Sequence, residues 1–111
     1  AEPVAGRGGF ERDSMPEFNY TASPREIPFI RRAAVNAARQ NGLPFADRLA
    51  LWRELSSAEG VELFIEAIHE NTAIAESVVD VLLDSFERFV TFLIDNWDEI
   101  FKIIQAIIGL F

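Results

Sequence analysis

Between Val61 and Ile108 the chain contains neither proline nor glycine, and from Val78 onward its polar residues form a narrow repeating stripe among Val, Leu, Ile, Phe and Trp. The stripe includes Asp80, Asp84, Glu87, Arg88, Thr91, Asp95, Asp98, Glu99 and Lys102. It returns to the same angle every eleven residues, as in Asp80, Thr91 and Lys102. Eleven residues in three turns is the register of a straight or slightly right-handed helix rather than a left-handed heptad seam. The pattern therefore predicts one long amphipathic helix over Val78–Phe111, of which only about a third of the circumference prefers water. The rest must face protein or lipid.

The remaining elements follow from breakers and helical spacing. Residues 1–23 hold Pro3, Gly6, Gly8, Gly9 and Pro16 with no helical period, which reads as an extended arm anchored by Phe10, Phe18 and Tyr20, with Met15 beside them. Such an arm is ordered where it lies against a neighbouring subunit or partner. Ser23 and Glu26 have capping-box spacing, but Pro28 lacks a donor for the next turn, so the first helix is expected to start there and to stop at Asn41-Gly42. Its alanines at 33, 34, 37 and 38 would let another helix approach closely. Phe45, Leu49, Trp52 and Leu55 recur at helical spacing after Pro44, with Asp47, Arg48, Arg53 and Glu54 opposite. Ser56 and Glu59 then signal a further start.

Helices are thus expected over about 28–41, 44–56, 58–70 and 72–109, the last two either continuous or separated at Asn71-Thr72. The fold class is all-α: an extended N-terminal arm (1–23), then a helical domain (24–111) in which two short helices and a long C-terminal amphipathic helix pack as an oligomeric bundle. Two short helices sheathe only part of a long one, so its association face (Phe86, Phe89, Leu93, Trp97, Ile100, Phe101, Ile104, Ile108 and Phe111) is expected to meet other copies or partner subunits.

Charge and composition restrict the activity. The net charge of −8 argues against a nucleic-acid partner, whose phosphates require Lys and Arg. Without cysteine there is no disulfide framework, thiolate nucleophile or Cys-based zinc site. His69 lies at helical spacing from Glu66, but no second His or Cys completes a ligand set, and a solvent-facing helix residue is the plainer reading. Gly6-x-Gly8-Gly9 lacks the strand, helix and Lys-Ser/Thr of a phosphate cradle. No catalytic, cofactor-binding or metal constellation is found, and the expectation is a non-enzymatic protein.

Two functions fit. In the first, the protein self-associates or docks in a larger helical assembly through its C-terminal helix. In the second, helices ring a membrane pore with Asp80, Asp84, Asp95 and Asp98 facing a cation-favouring lumen. Against a solitary spanning helix, charges interrupt every apolar run before about eighteen residues. The start at Ala1-Glu2-Pro3 suggests N-terminal processing and a secreted or envelope-associated location.

Overall fold

Ser23 and Glu26 open the first helix as a reciprocal pair. The Glu26 carboxylate accepts from the Ser23 backbone N–H at 3.0 Å, and the Ser23 hydroxyl accepts from the Glu26 N–H at 3.4 Å. The computed structural model describes residues 19–109. In it α1 spans Glu26–Gln40, starting ahead of the position expected from Pro28. Pro28 falls in the first turn, where backbone N–H groups have no intrahelical acceptor, so its missing donor costs nothing. At the other end Gly42 has φ 81°, the left-handed geometry that stops the helix.

α2 (Phe45–Glu54) and α3 (Ala58–Glu70) follow. The cap of α3 is Ser57 rather than Ser56: its hydroxyl accepts from the Gly60 N–H at 3.1 Å. Gly60 is required by proximity, because a Cβ there would lie 1.8 Å from the Glu54 carbonyl oxygen. At Asn71 the chain leaves α3, and the Asn71 side chain accepts from the Ala73 N–H at 2.9 Å. The chain is therefore broken at Asn71-Thr72 rather than continuous through it.

The long helix expected over 72–109 is instead three: α4 (Val78–Leu82), α5 (Phe86–Asp95) and α6 (Trp97–Ile108). Ser77 and Ser85 accept from the N–H groups of Asp80 and Arg88, each supplying a partner to a helix's first turn. Asn96 closes α5 by donating its side-chain amide to the Phe92 carbonyl, and its own carbonyl accepts from Glu99 and Ile100 to begin α6. Neither turn needs glycine, since Leu83 (φ −78°, ψ −9°) and Asn96 (φ −107°, ψ 26°) both lie at negative φ.

Burial favours the broken form. Each interrupted backbone hydrogen bond is worth about 0.5–1.5 kcal/mol net, and the caps recover part of that. Each large apolar side chain removed from water contributes about 1.5–3 kcal/mol. Phe89, Phe92, Leu93, Ile100 and Ile104 are all fully buried in the folded-back chain.

Among the described residues 71% are helical and none lies in a strand, so the all-α class holds. α1 packs on α5, α2 and α3; α6 is covered by α2 and α3; α4 bridges α3 and α5. The alanine face of α1 is completely buried, in one cluster with Phe64 and Ile65 of α3, Phe89 and Phe92 of α5, and Ile100 and Ile104 of α6. Phe29 ties α1 to α5 through an edge contact with Phe86 at 5.4 Å and a stacked contact with Phe89 at 6.2 Å. No described helix is long and apolar enough to cross a membrane.

Two substitutions test this account. Gly60→Ala gains about 1 kcal/mol of helix propensity but drives a methyl into the α2 backbone, an overpacking cost of about 1–3 kcal/mol or more. Net destabilisation is expected in chemical denaturation. Ser85→Ala should cost about 1 kcal/mol by loss of the α5 cap, with the denaturant dependence of unfolding unchanged.

Candidate functional site

The residues expected to form an association face on the C-terminal helix lie largely inside the chain's own fold. Phe89, Leu93, Ile100 and Ile104 are fully buried; Phe86, Trp97, Phe101 and Ile108 are partly buried and pack against the same core. Trp97 stacks on Phe101 at 5.8 Å. Phe111 lies outside the described residues, as do Phe10 and Phe18 of the arm. Tyr20 is described and held by its own chain, its hydroxyl donating to Glu26 at 2.7 Å. Burial, with Glu26 and Glu62 nearby, pushes the Tyr20 phenol up from its ordinary pKa. The adjoining Ala22 N–H donates to the Glu62 carboxylate at 2.9 Å, so residues 20–22 are fastened to both α1 and α3.

The four stripe aspartates are exposed but divided: Asp80, Asp95 and Asp98 lie on α4, α5 and α6, and Asp84 in the turn between α4 and α5. Asp80 and Asp84 border a shallow depression with Glu76 and Arg88, whose guanidinium pairs with Glu76 and stands 3.9 Å from Asp84. Asp95 and Asp98 line another at the α5–α6 junction with Asn96, Trp97 and Glu99. Among the described residues these aspartates border two separate depressions rather than one continuous acidic wall. Among the described residues no group of three or more His, Cys, Asp or Glu side chains is placed to hold a metal ion.

At this junction Glu99 does structural work. It accepts from the Asn71 side-chain amide at 2.9 Å, joining the end of α3 to the first turn of α6, and it pairs with Lys102 at 3.4 Å. The Asn71 hydrogen bond, with a smaller contribution from Lys102, holds the Glu99 carboxyl below its ordinary pKa.

Of the row Phe45, Leu49, Trp52 and Leu55 that recurs at helical spacing on α2, the structure buries only Leu55. There Leu51 and Leu55 are buried, whereas Phe45, Leu49 and Trp52 are 69%, 37% and 39% exposed. Both sets have helical spacing, i, i+4 and i, i+4, i+7, so periodicity alone could not separate them. The exposed set lines an open apolar groove with Val35 of α1 and Arg48. Arginines frame it: Arg31 lies over the Trp52 ring at 4.2 Å and Arg48 stands 5.7 Å from the Phe45 ring. Arg31 donates to the Ser56 hydroxyl and Arg48 to the Leu43 carbonyl, so neither charge is paired with a carboxylate among the described residues. Nε of Arg31 is shielded from water without an acceptor there.

Among the described residues the ring contact recorded for Phe45 is with Arg48, and cation–π contacts at exposed sites contribute only about 0.5–1 kcal/mol. The combination of apolar surface and guanidinium groups that have no carboxylate partner among the described residues is chemically suited to binding an apolar segment that carries carboxylates. It holds no nucleophile and base in contact.

Comparison with protein-family models, curated proteins and solved structures gives no match for this chain.

The Glu99 link has a definite pH signature. A lowered folded pKa means its stabilisation is present above the ordinary carboxylate value and is lost as pH falls through the folded one. Glu99→Gln retains an acceptor for Asn71 but removes the charge. The variant should melt below wild type at neutral pH, and the two melting temperatures should converge in acid; a constant difference across that range would contradict the assignment.

Proposed function

We propose that this chain is a non-enzymatic association module whose docking surface is the α1–α2 groove rather than the C-terminal apolar seam. The observation that carries the proposal is the exposed row Phe45, Leu49 and Trp52, aligned along one helix and framed by Arg31 and Arg48. Aromatic and arginine side chains of this kind are characteristic anchors of interfaces, where desolvation strengthens contacts that are weak in water. A helical partner would present apolar residues at i, i+3 or i+4 and i+7 to this groove. Carboxylates beside them would meet the arginines.

The protein's overall acidity does not oppose this. From Glu26 to Glu54 there are five arginines and three acidic residues, whereas residues 76–111 hold seven acidic and two basic ones. The groove therefore lies on the one locally basic part of an acidic molecule. Burial of the C-terminal seam within the chain supports assigning association to α1 and α2, because those seam residues already have apolar neighbours.

A synthetic amphipathic helix with leucines at i, i+4 and i+7 and glutamates between them is a direct probe. In a Trp97→Phe background, where Trp52 is the sole tryptophan, its addition should give a saturable change in Trp52 emission that weakens with salt. Leu49→Asp should abolish the change, as should scrambling the peptide. Equal responses to the ordered and scrambled peptides would overturn the proposal.

A further inference from the structure

We infer that the occupant of the α1–α2 groove is a second copy of this chain, which inserts Leu83 from the corner between α4 and α5 with Asp80 and Asp84 beside it. The inference rests on the reading of the groove as a docking surface. Leu83 is 73% exposed, more than any other large apolar side chain among the described residues. It is not held on a loose loop: its N–H donates to the Val79 carbonyl at 3.1 Å, the Asp84 N–H donates to the Val81 carbonyl at 3.1 Å, and Ser85 immediately caps α5. The fold thus presents one leucine on a fixed turn, with no internal packing that accounts for its position.

Charge selects the pairing. Asp80 and Asp84 are exposed on either side of Leu83 in sequence, and among the described residues the only cation paired with Asp84, Arg88, is also paired with Glu76. Two grooves placed together would juxtapose Arg31 and Arg48 of both copies; two corners would juxtapose Asp80 and Asp84. Groove on corner joins opposite charges and covers apolar surface on both sides. The features are built on different helix pairs, α2 on α1 and α6, α4 on α3 and α5. Each copy therefore offers one groove and one corner. A contact between unlike surfaces leaves a free surface at both ends, so it propagates to a chain unless rotation closes it into a ring. A single leucine with its flanks covers less area than a standard stable interface, which makes the association concentration-dependent.

Sedimentation velocity over a concentration series tests this with two surface variants, Leu83→Asp and Leu49→Asp. Wild type should gain mean mass with concentration and lose it with added salt. Each variant alone should remain monomeric, with association weakened by more than about tenfold, because a carboxylate replaces the apolar contact. Circular dichroism should match wild type for both variants; melting should be unchanged for Leu83→Asp, which is 73% exposed, and modestly lowered for Leu49→Asp, which is 37% exposed. The two variants mixed should form a heterodimer and nothing larger: the intact groove of one accepts the intact corner of the other, and the remaining surfaces are both disabled. Loss of association in Leu49→Asp but not in Leu83→Asp would indicate groove-to-groove dimers and overturn the inference. Wild type that stays monomeric while its Trp52 still responds to the acidic peptide would also overturn it, leaving a foreign acidic helix as the occupant. If neither the peptide nor a second copy binds, the docking reading itself falls.

Discussion

The closeness with which α1 meets its neighbours sets the spacing of the remaining helices. Ala33, Ala34, Ala37 and Ala38 present nothing beyond Cβ and are all essentially inaccessible to water. Bulkier residues on that face would hold α5 and α3 apart and leave voids around Phe64, Phe89 and Phe92. Interiors pack at crystal-like density, so the large rings on the opposing helices and the small face of α1 are complementary halves of one volume. Phe29, at the start of α1, extends the same packing by contacting both Phe86 and Phe89. The polar fastening of residues 20–22 to Glu26 and Glu62 then secures the entry to α1 against α3.

Much of the helical architecture was legible in the residues. The stop at Asn41-Gly42, the span of α3 and the inward sets Ile30 with the four alanines and Val61, Phe64, Ile65 and Ile68 follow directly from capping chemistry and the 3.6-residue period. The interruptions of the C-terminal run were harder to read because they use residues compatible with a helix. Leu83 and Asn96 turn at negative φ, so no glycine or proline advertises them. The available signal was capping: Ser77-x-x-Asp80 has capping-box spacing, and Ser85 precedes a new apolar phase. Excess hydrophobicity in that run did identify surface that must leave water. It could not say whether a neighbour or the chain itself would cover it, because fold-back and association satisfy the same local pattern.

The groove was concealed by a different ambiguity. α2 carries apolar residues on two faces, and only the positions of α1 and α6 decide that Leu51 and Leu55 point inward while Phe45, Leu49 and Trp52 do not. Net charge was similarly uninformative at this scale. A total of −8 conceals a basic α1–α2 surface beside an acidic remainder, and interactions between exposed charges decay over about 8–10 Å in physiological salt. A partner at the groove therefore experiences its nearby arginines more strongly than the molecule's total charge.

The contact between Phe29 and Phe89 spans about sixty residues of chain. Helices can form early from local hydrogen bonds, but this pairing requires closure of most of the domain before its burial stabilises anything. During ribosomal synthesis, a nascent polypeptide ending at α4 possesses the alanine face and Phe64 but not Phe89 and Phe92, which join them in the core. The core is thus completed only after α5 and then α6 emerge, so the long-range packing forms late in synthesis.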